Sequence, residues 1–382
     1  MGFAKLPSEI LYKIGQIMAN DSHSVSSLCI VNKWTHQSLA TLLYRSVRLG
    51  SDNSVSSFCD TITSLNPGYS NYVVDLWIGS DWCIDSKGGY RLQRDIVPQI
   101  RRVLQSLVYL KHLSLPTTTR NALNLLFANL NVPFQLDSFA HRGQLSKPLL
   151  RFLEGQPSIT RLGCHVLIAW TNDTLLSDAL KSKPNLFKNL RELESPDCIA
   201  TILIRARPIS NLTIIEPAEL LYNSSDGIDS VIADFLTNSS IHFLTHAMVP
   251  ITRICITEKA GRGNLWAQFI KLSWQRRALH NMKELCILLR FPPELDKRPV
   301  LKQVFSNLNS FSCLRFDALE KFEIAQADGL QYNPPPSEII NWLDSHNMGH
   351  MSSWREHNPM LRSVILYGYV IPEVIYQESV LP

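Results

Sequence analysis

The chain has 382 residues and a mass of 43.4 kDa, long enough for two domains or for one small module followed by an extended array. Hydrophobic residues make up 45% and charged residues 18%, a globular balance that excludes wholesale disorder. Lysine and arginine (37) exceed aspartate and glutamate (33) by only 4, so charge gives no reason to expect a nucleic-acid or membrane partner.

The eight cysteines are spread along the chain, and no two stand close enough for a CxxC zinc pair. Several lie in apolar runs, such as Ile254-Cys255-Ile256, and read as buried, reduced thiols of an intracellular protein. The opening MGFAKLPSEI lacks the apolar core of a signal peptide, and no apolar run reaches about 18 residues, so neither a leader nor a membrane span is expected.

Chain order begins with a helical stretch. Pro7 stands near a first helical position, where its missing N–H costs nothing. Ile10, Leu11, Ile14, Ile17 and Met18 follow at spacings that make one apolar stripe. Asn20-Asp21-Ser22 interrupts it. A second helix is expected around Val25, Leu28 and Val31, and a third around Leu39, Leu42 and Leu43, ending near Tyr44-Arg45-Ser46-Val47. Some 45 residues are marginal for independent folding, so this three-helix bundle should lean on a following domain or a partner.

The string LPSEIL…SLCIVNKWTHQSLATLLYRSVRL resembles an F-box, in the form seen at the start of many fungal proteins. The hallmarks stand in order: Leu6-Pro7 with Glu9-Ile10-Leu11, then Leu28-Cys29-Ile30-Val31-Asn32-Lys33, then Leu43-Tyr44-Arg45-Ser46-Val47, with Tyr44 where a Trp is common. The resemblance covers residues 3 to 48 and implies a partner: a Skp-family adaptor, and through it a cullin–RING ubiquitin ligase. The adaptor-facing apolar positions it implies are Leu6, Pro7, Ile10, Leu11, Ile14, Leu28, Val31 and Leu42. The division it suggests is an F-box at 1–48 and a partner-binding domain at 49–382.

Beyond residue 70 a hexamer recurs, apolar-x-x-apolar-x-apolar, strand-like in length: 73–78, 110–115, 159–164, 209–214, 251–256, 282–287, 319–324 and 361–366, with a weaker copy at 190–195. Roughly 30 such matches arise by chance at this apolar content, so the spacing alone carries little. The weight comes from helical stripes between the copies: Leu92 to Leu107; Leu123, Leu126, Phe127 and Leu130; Ile199, Ile202 and Leu203; Ile228, Val231, Ile232 and Phe235; Leu265, Phe269 and Leu272; Leu301, Val304, Phe305 and Leu308; Ile339, Ile340 and Leu343. Strand and helix alternating in this way point to an α/β fold: an irregular leucine-rich-repeat-like solenoid, with intervals mostly longer than the usual 20–29 residues and without the usual Asn ladder. A doubly wound α/β domain is the alternative.

Chemistry-bearing motifs are few. No P-loop, nucleophile elbow, HExxH or EF-hand loop is present. His242 and His246, and His346 and His350, are four apart, but nothing nearby completes a four-ligand set. The basic stretch 271–277, with Trp274 among cations, reads as the solvated face of a helix. No catalytic residue, metal ligand or cofactor is expected. Positions 3 and 5 of each hexamer point to the open face. The target-binding candidates there are Asp75, Trp77, His112, Arg161, Glu192, Arg253, Glu284, Lys321 and Glu323, mixed in sign, so a protein target is expected rather than nucleic acid. The expected function is a substrate receptor of an SCF-type ligase; the alternative is a repeat scaffold with a vestigial F-box.

Overall fold

The computed structural model describes residues 6–18, 22–79, 92–117, 119–165, 173–215, 244–259, 266–267, 270, 279–291, 297–312, 314–327 and 334–373. The chain is mixed α/β, with twelve strands in open rows, and forms two compact units: Met1–Gly163 with Asp178–Asn189, and Cys164–Ser177 with Leu190–Pro382.

The first unit opens with three helices, α1 (Ser8–Ile17), α2 (Ser22–Cys29) and α3 (Lys33–Arg45). Pro7 precedes α1, and its carbonyl accepts from the N–H groups of Ile10 and Leu11, both at 3.1 Å. Asn32 caps α3, its Oδ1 accepting from the Thr35 N–H at 2.8 Å. Val25, Cys29 and Leu39 form a small core, with Met18, Leu28, Leu42 and Leu43 packed on it. α1 lies close against α3 because Gly15 faces it: a Cβ there would stand 2.6 Å from Leu39 Cδ2.

α3 runs directly into β1 (Ser46–Leu49), so the residues that close the F-box-like string already form a strand, paired in parallel with β2 (Asp75–Ile78). Between these strands α4 (Asp52–Asp60) starts in a capping box of Ser51 and Ser54 and continues as a π-helical turn and a short 3₁₀ segment. Tyr69 of that segment packs on Tyr44 with ring centres 4.6 Å apart, and its hydroxyl meets His36 Nε2 at 3.0 Å.

β3 (His112–Thr117), β4 (Ser138–Arg142) and β5 (Arg161–Cys164) follow in order, separated by α5 (Val97–Ser106), α6 (Arg120–Phe127) and α7 (Lys147–Glu154). Each helix buries its apolar stripe: Ile100, Val103 and Leu104; Leu123, Leu126 and Phe127; Leu149, Phe152 and Leu153. Phe127 meets both Phe139 of β4 and Phe152 of α7. Arg101 of α5 donates to the carbonyls of Leu125, Leu126 and Asn129, each at 3.1 Å, satisfying acceptors that the end of α6 leaves open. After β5 comes α8 (Asp173–Ser182).

The second unit carries β6 (Glu192–Ser195), α9 (Asp197–Ala206), β7 (Asn211–Ile215), β8 (Arg253–Lys259), β9 (Glu284–Arg290), α10 (Lys297–Ser312), β10 (Lys321–Gln326), α11 (Pro336–Ser345), α12 (Met351–Arg355) and β11 (Ser363–Leu366). β6 to β11 pair in parallel, each with the next. A turn at Tyr367 and Gly368, both with positive φ, then folds β12 (Tyr369–Val370) back antiparallel onto β11.

All nine hexamers contain strands, each beginning at the third residue. The second residue carries a repeated hydrogen bond: its carbonyl accepts two N–H groups from the next copy. Val74 accepts from Lys111 and His112, and Lys111 from Asp137 and Ser138. In the second unit Ser210, Thr252, Lys283 and Glu320 do the same for the copy that follows each. Fourth positions are buried throughout: Leu76 and Leu113 in the first unit, and Leu193, Leu212, Ile254, Leu285, Phe322 and Val364 in the second.

The expected stripes around Ile100, Leu123, Ile199, Leu301 and Ile339 lie in helices. Leu92 and Ile96 precede α5 rather than belonging to it. The stripes at 228–235 and at Leu265, Phe269 and Leu272, the basic stretch 271–277 and His242 lie outside the described residues.

Candidate functional site

Two surfaces hold the residues singled out from the sequence. The first is the helical module. Leu11 is buried, while Leu28 and Leu42 are half-buried against the small core. Ile14 is also half-buried. Leu6 is partly covered, its carbonyl accepting from Trp34 Nε1–H at 3.4 Å, and Pro7 is exposed. Ile10 is 43% exposed and Val31 56% exposed. The single apolar stripe therefore divides: Leu11 turns inward and its neighbour Ile10 turns out, because adjacent helical residues lie about 100° apart on the helix.

Three further apolar side chains stand in the open here, Ile17 (83%), Ile30 (85%) and Trp34 (46%). Ile17 was legible only as core; Ile30 and Trp34 follow the end of α2 and start α3, off any helical stripe.

The second surface is the strand face. In the second unit, third positions stand side by side in register as Glu192, Asn211, Arg253, Glu284, Lys321 and Ser363. Fifth positions form a parallel row: Glu194, Thr213, Cys255, Cys286, Glu323 and Ile365. The first unit has the same two rows, Asp75, His112 and Ser138 beside Trp77, Ser114 and Ala140. The register thus gathers Asp75, Trp77 and His112 in one set, and Glu192, Arg253, Glu284, Lys321 and Glu323 in the other. Arg161 opens β5 and is exposed.

Charges on this face pair with one another. Arg253 Nε lies 3.3 Å from Glu284 and Lys321 Nζ 2.8 Å from Glu323; the His112 ring, whichever form it takes, has Nε2 3.7 Å from Asp75. The hydrogen bond from Lys321 to Glu323 pushes the lysine pKa up. Pairs this exposed contribute at most about 1 kcal/mol each, so they set the pattern of the face more than its stability. Trp77 is half-buried, with the Arg48 guanidinium 5.2 Å from its ring centre, so one side of the indole is already covered.

Second positions add a polar edge beside the face, where Lys283 and Arg362 flank Glu320 at 3.1 and 3.6 Å and Lys111 lies 3.6 Å from Asp137.

His346 closes α11 and His350 precedes α12, so the two do not share a helical face. Among the described residues no three His, Cys, Asp or Glu side chains are grouped to hold a metal ion, and no helix is long and apolar enough to cross a membrane. No protein-family model matches the chain, and no curated protein matches it.

Proposed function

We propose that this chain is the substrate-receptor subunit of an SCF-type cullin–RING ubiquitin ligase, working inside the cell. Residues 1–48 act as the F-box that docks a Skp-family adaptor, and the strand face of a leucine-rich-repeat-like solenoid holds a protein target. The observation that carries the reading is the apolar exposure of the helical module. Of the thirteen large apolar side chains exposed among the described residues, five (Ile10, Ile17, Ile30, Val31 and Trp34) belong to residues 6–34. A bundle this small that leaves so much hydrocarbon in water fits a surface completed by a partner. The F-box-like string over the same residues supplies the partner's class.

In this reading the chain breaks no bond itself. It holds a target beside a charged conjugating enzyme, so transfer gains from effective concentration. The mixed, mutually paired charges of the strand face support a protein target over a polyanion. The test is co-purification of a Skp-family adaptor with the full chain. Capture supports the reading; a folded chain that captures none overturns it and leaves a non-ligase scaffold.

A further inference from the structure

Cys255 and Cys286 stand opposite each other in the register of β8 and β9, both at fifth positions and so on the same face. Both are free thiols. Neighbouring strands hold opposed Cα atoms about 4.8 Å apart, inside the span of about 4.4–6.8 Å that a disulfide bridges. Each thiol is among the groups that shift the other's ionisation. Four charged side chains share their surroundings: Arg253 two residues before Cys255, Glu194 and Glu323 in the same fifth-position row, and Lys321 on β10.

We propose that Cys255 and Cys286 are a cross-strand dithiol that closes to a reversible disulfide when the chain meets a peroxide. The inference rests on the register and stands whether or not the chain is a ligase receptor.

Cys286 is the attacking sulfur. Cys255 beside it holds the Cys286 pKa down, with Arg253 and Lys321 adding to the effect against burial and Glu323. Cys286 and burial push Cys255 up. Cys29, Cys59 and Cys164 are pushed up by burial. Reactivity follows thiolate character and access, and Cys286 is also the less buried of the pair. Its thiolate attacks one peroxide oxygen and the O–O bond breaks. The other oxygen leaves as hydroxide and takes up a proton to become water, and Cys286 becomes a sulfenic acid. The Cys255 sulfur then attacks the Cys286 sulfur. The S–S bond forms, the S–O bond breaks, and the sulfenic oxygen departs as water with the Cys255 proton. Two thiols lose two electrons, and one peroxide is reduced to two waters.

The experiment treats the full chain with hydrogen peroxide, blocks remaining thiols with iodoacetamide, and maps unreduced peptides by mass spectrometry. A linked pair carrying Cys255 and Cys286 is expected at lower peroxide than modification of Cys29, Cys59 or Cys164, and dithiothreitol removes it. Cys286→Ser abolishes the link and leaves Cys255 open to iodoacetamide. Cys255→Ser leaves a Cys286 sulfenic acid that dimedone traps. The wild-type map needs neither variant to fold. The proposal is overturned if both thiols stay alkylatable while other cysteines oxidise, or if Cys286 oxidises without linking to Cys255.

Discussion

Asn358 Oδ1 accepts the Phe316 N–H at 2.8 Å, while its amide nitrogen donates to the Leu314 carbonyl at 3.1 Å. Gln156 repeats the arrangement in the other unit, accepting from the Leu136 N–H at 2.8 Å and donating to the Phe134 carbonyl at 3.5 Å. Each amide stands three residues before a hexamer, is followed by proline, and ties down the backbone just before or at the start of the preceding copy. Both side chains are buried, so the backbone groups they satisfy have little access to water.

We predict that Asn358→Ala destabilises the second unit by about 1–3 kcal/mol, the cost of leaving a buried donor and acceptor unmade. Urea unfolding measures it. A variant as stable as wild type would show that water takes over the amide's role.

On the proposed reading, Ile10→Asp and Val31→Asp should each weaken adaptor capture roughly tenfold or more while the module stays folded, because both side chains already face water. Leu11→Ala acts differently, since Leu11 is fully buried and its loss costs about 2–5 kcal/mol of packing. Adaptor co-purification beside circular dichroism separates the two effects. Equal loss of helix in all three variants would refute the division between Ile10 and Leu11.

Phe322, the fourth residue of its hexamer and the second of β10, is fully buried, with its ring 5.9 Å from that of Trp354. Trp354 in turn donates its Nε1–H to the Met348 carbonyl at 2.9 Å. We predict that Phe322→Ala costs about 3–5 kcal/mol. Near-neutral behaviour in chemical denaturation would mean that α12 collapses into the gap.

Stability should also fall in alkali through Cys59. Burial pushes its thiol from 9.0 up to about 12, so between those values the unfolded chain releases a proton that the folded chain keeps. The contribution is complete below pH 9 and is lost as pH rises through about 12, at up to ~1.4 kcal/mol per pH unit. The stability gap between wild type and Cys59→Ala should therefore narrow above pH 9 under reducing conditions. A constant gap from pH 8 to pH 10.5 would contradict this.

Much of the strand pattern was legible because apolar first, fourth and sixth positions recur between helical stripes; that each strand begins at the third residue is visible only in the structure. β4 escaped for a specific reason: its copy runs from Leu136 through Phe139 to His141, and the buried His141 breaks the apolar sixth position. β1 fits the template as Tyr44, Val47 and Leu49, but the same residues close the F-box-like string and were assigned there. β12 is two residues long and has no periodicity to show. The amides of Asn358 and Gln156 could not be told from surface polar residues, since their partners lie 42 and 20 positions away. In the helical module the stripe gave the helices but not which side meets water, because a bundle of this size has too small a core to cover every apolar residue.

A row of parallel strands ends in an edge whose amides and carbonyls invite another chain to pair. β12 occupies that edge on β11: Val370 and Tyr369 take the places beside Ile365 and Leu366, and the Ile371 N–H reaches the Val364 carbonyl at 3.0 Å. The return turns on Gly368, whose φ of 84° few other residues adopt. A side chain that stiffened this turn out of shape would uncover the edge, and the protein would then carry its own template for end-to-end fibre growth.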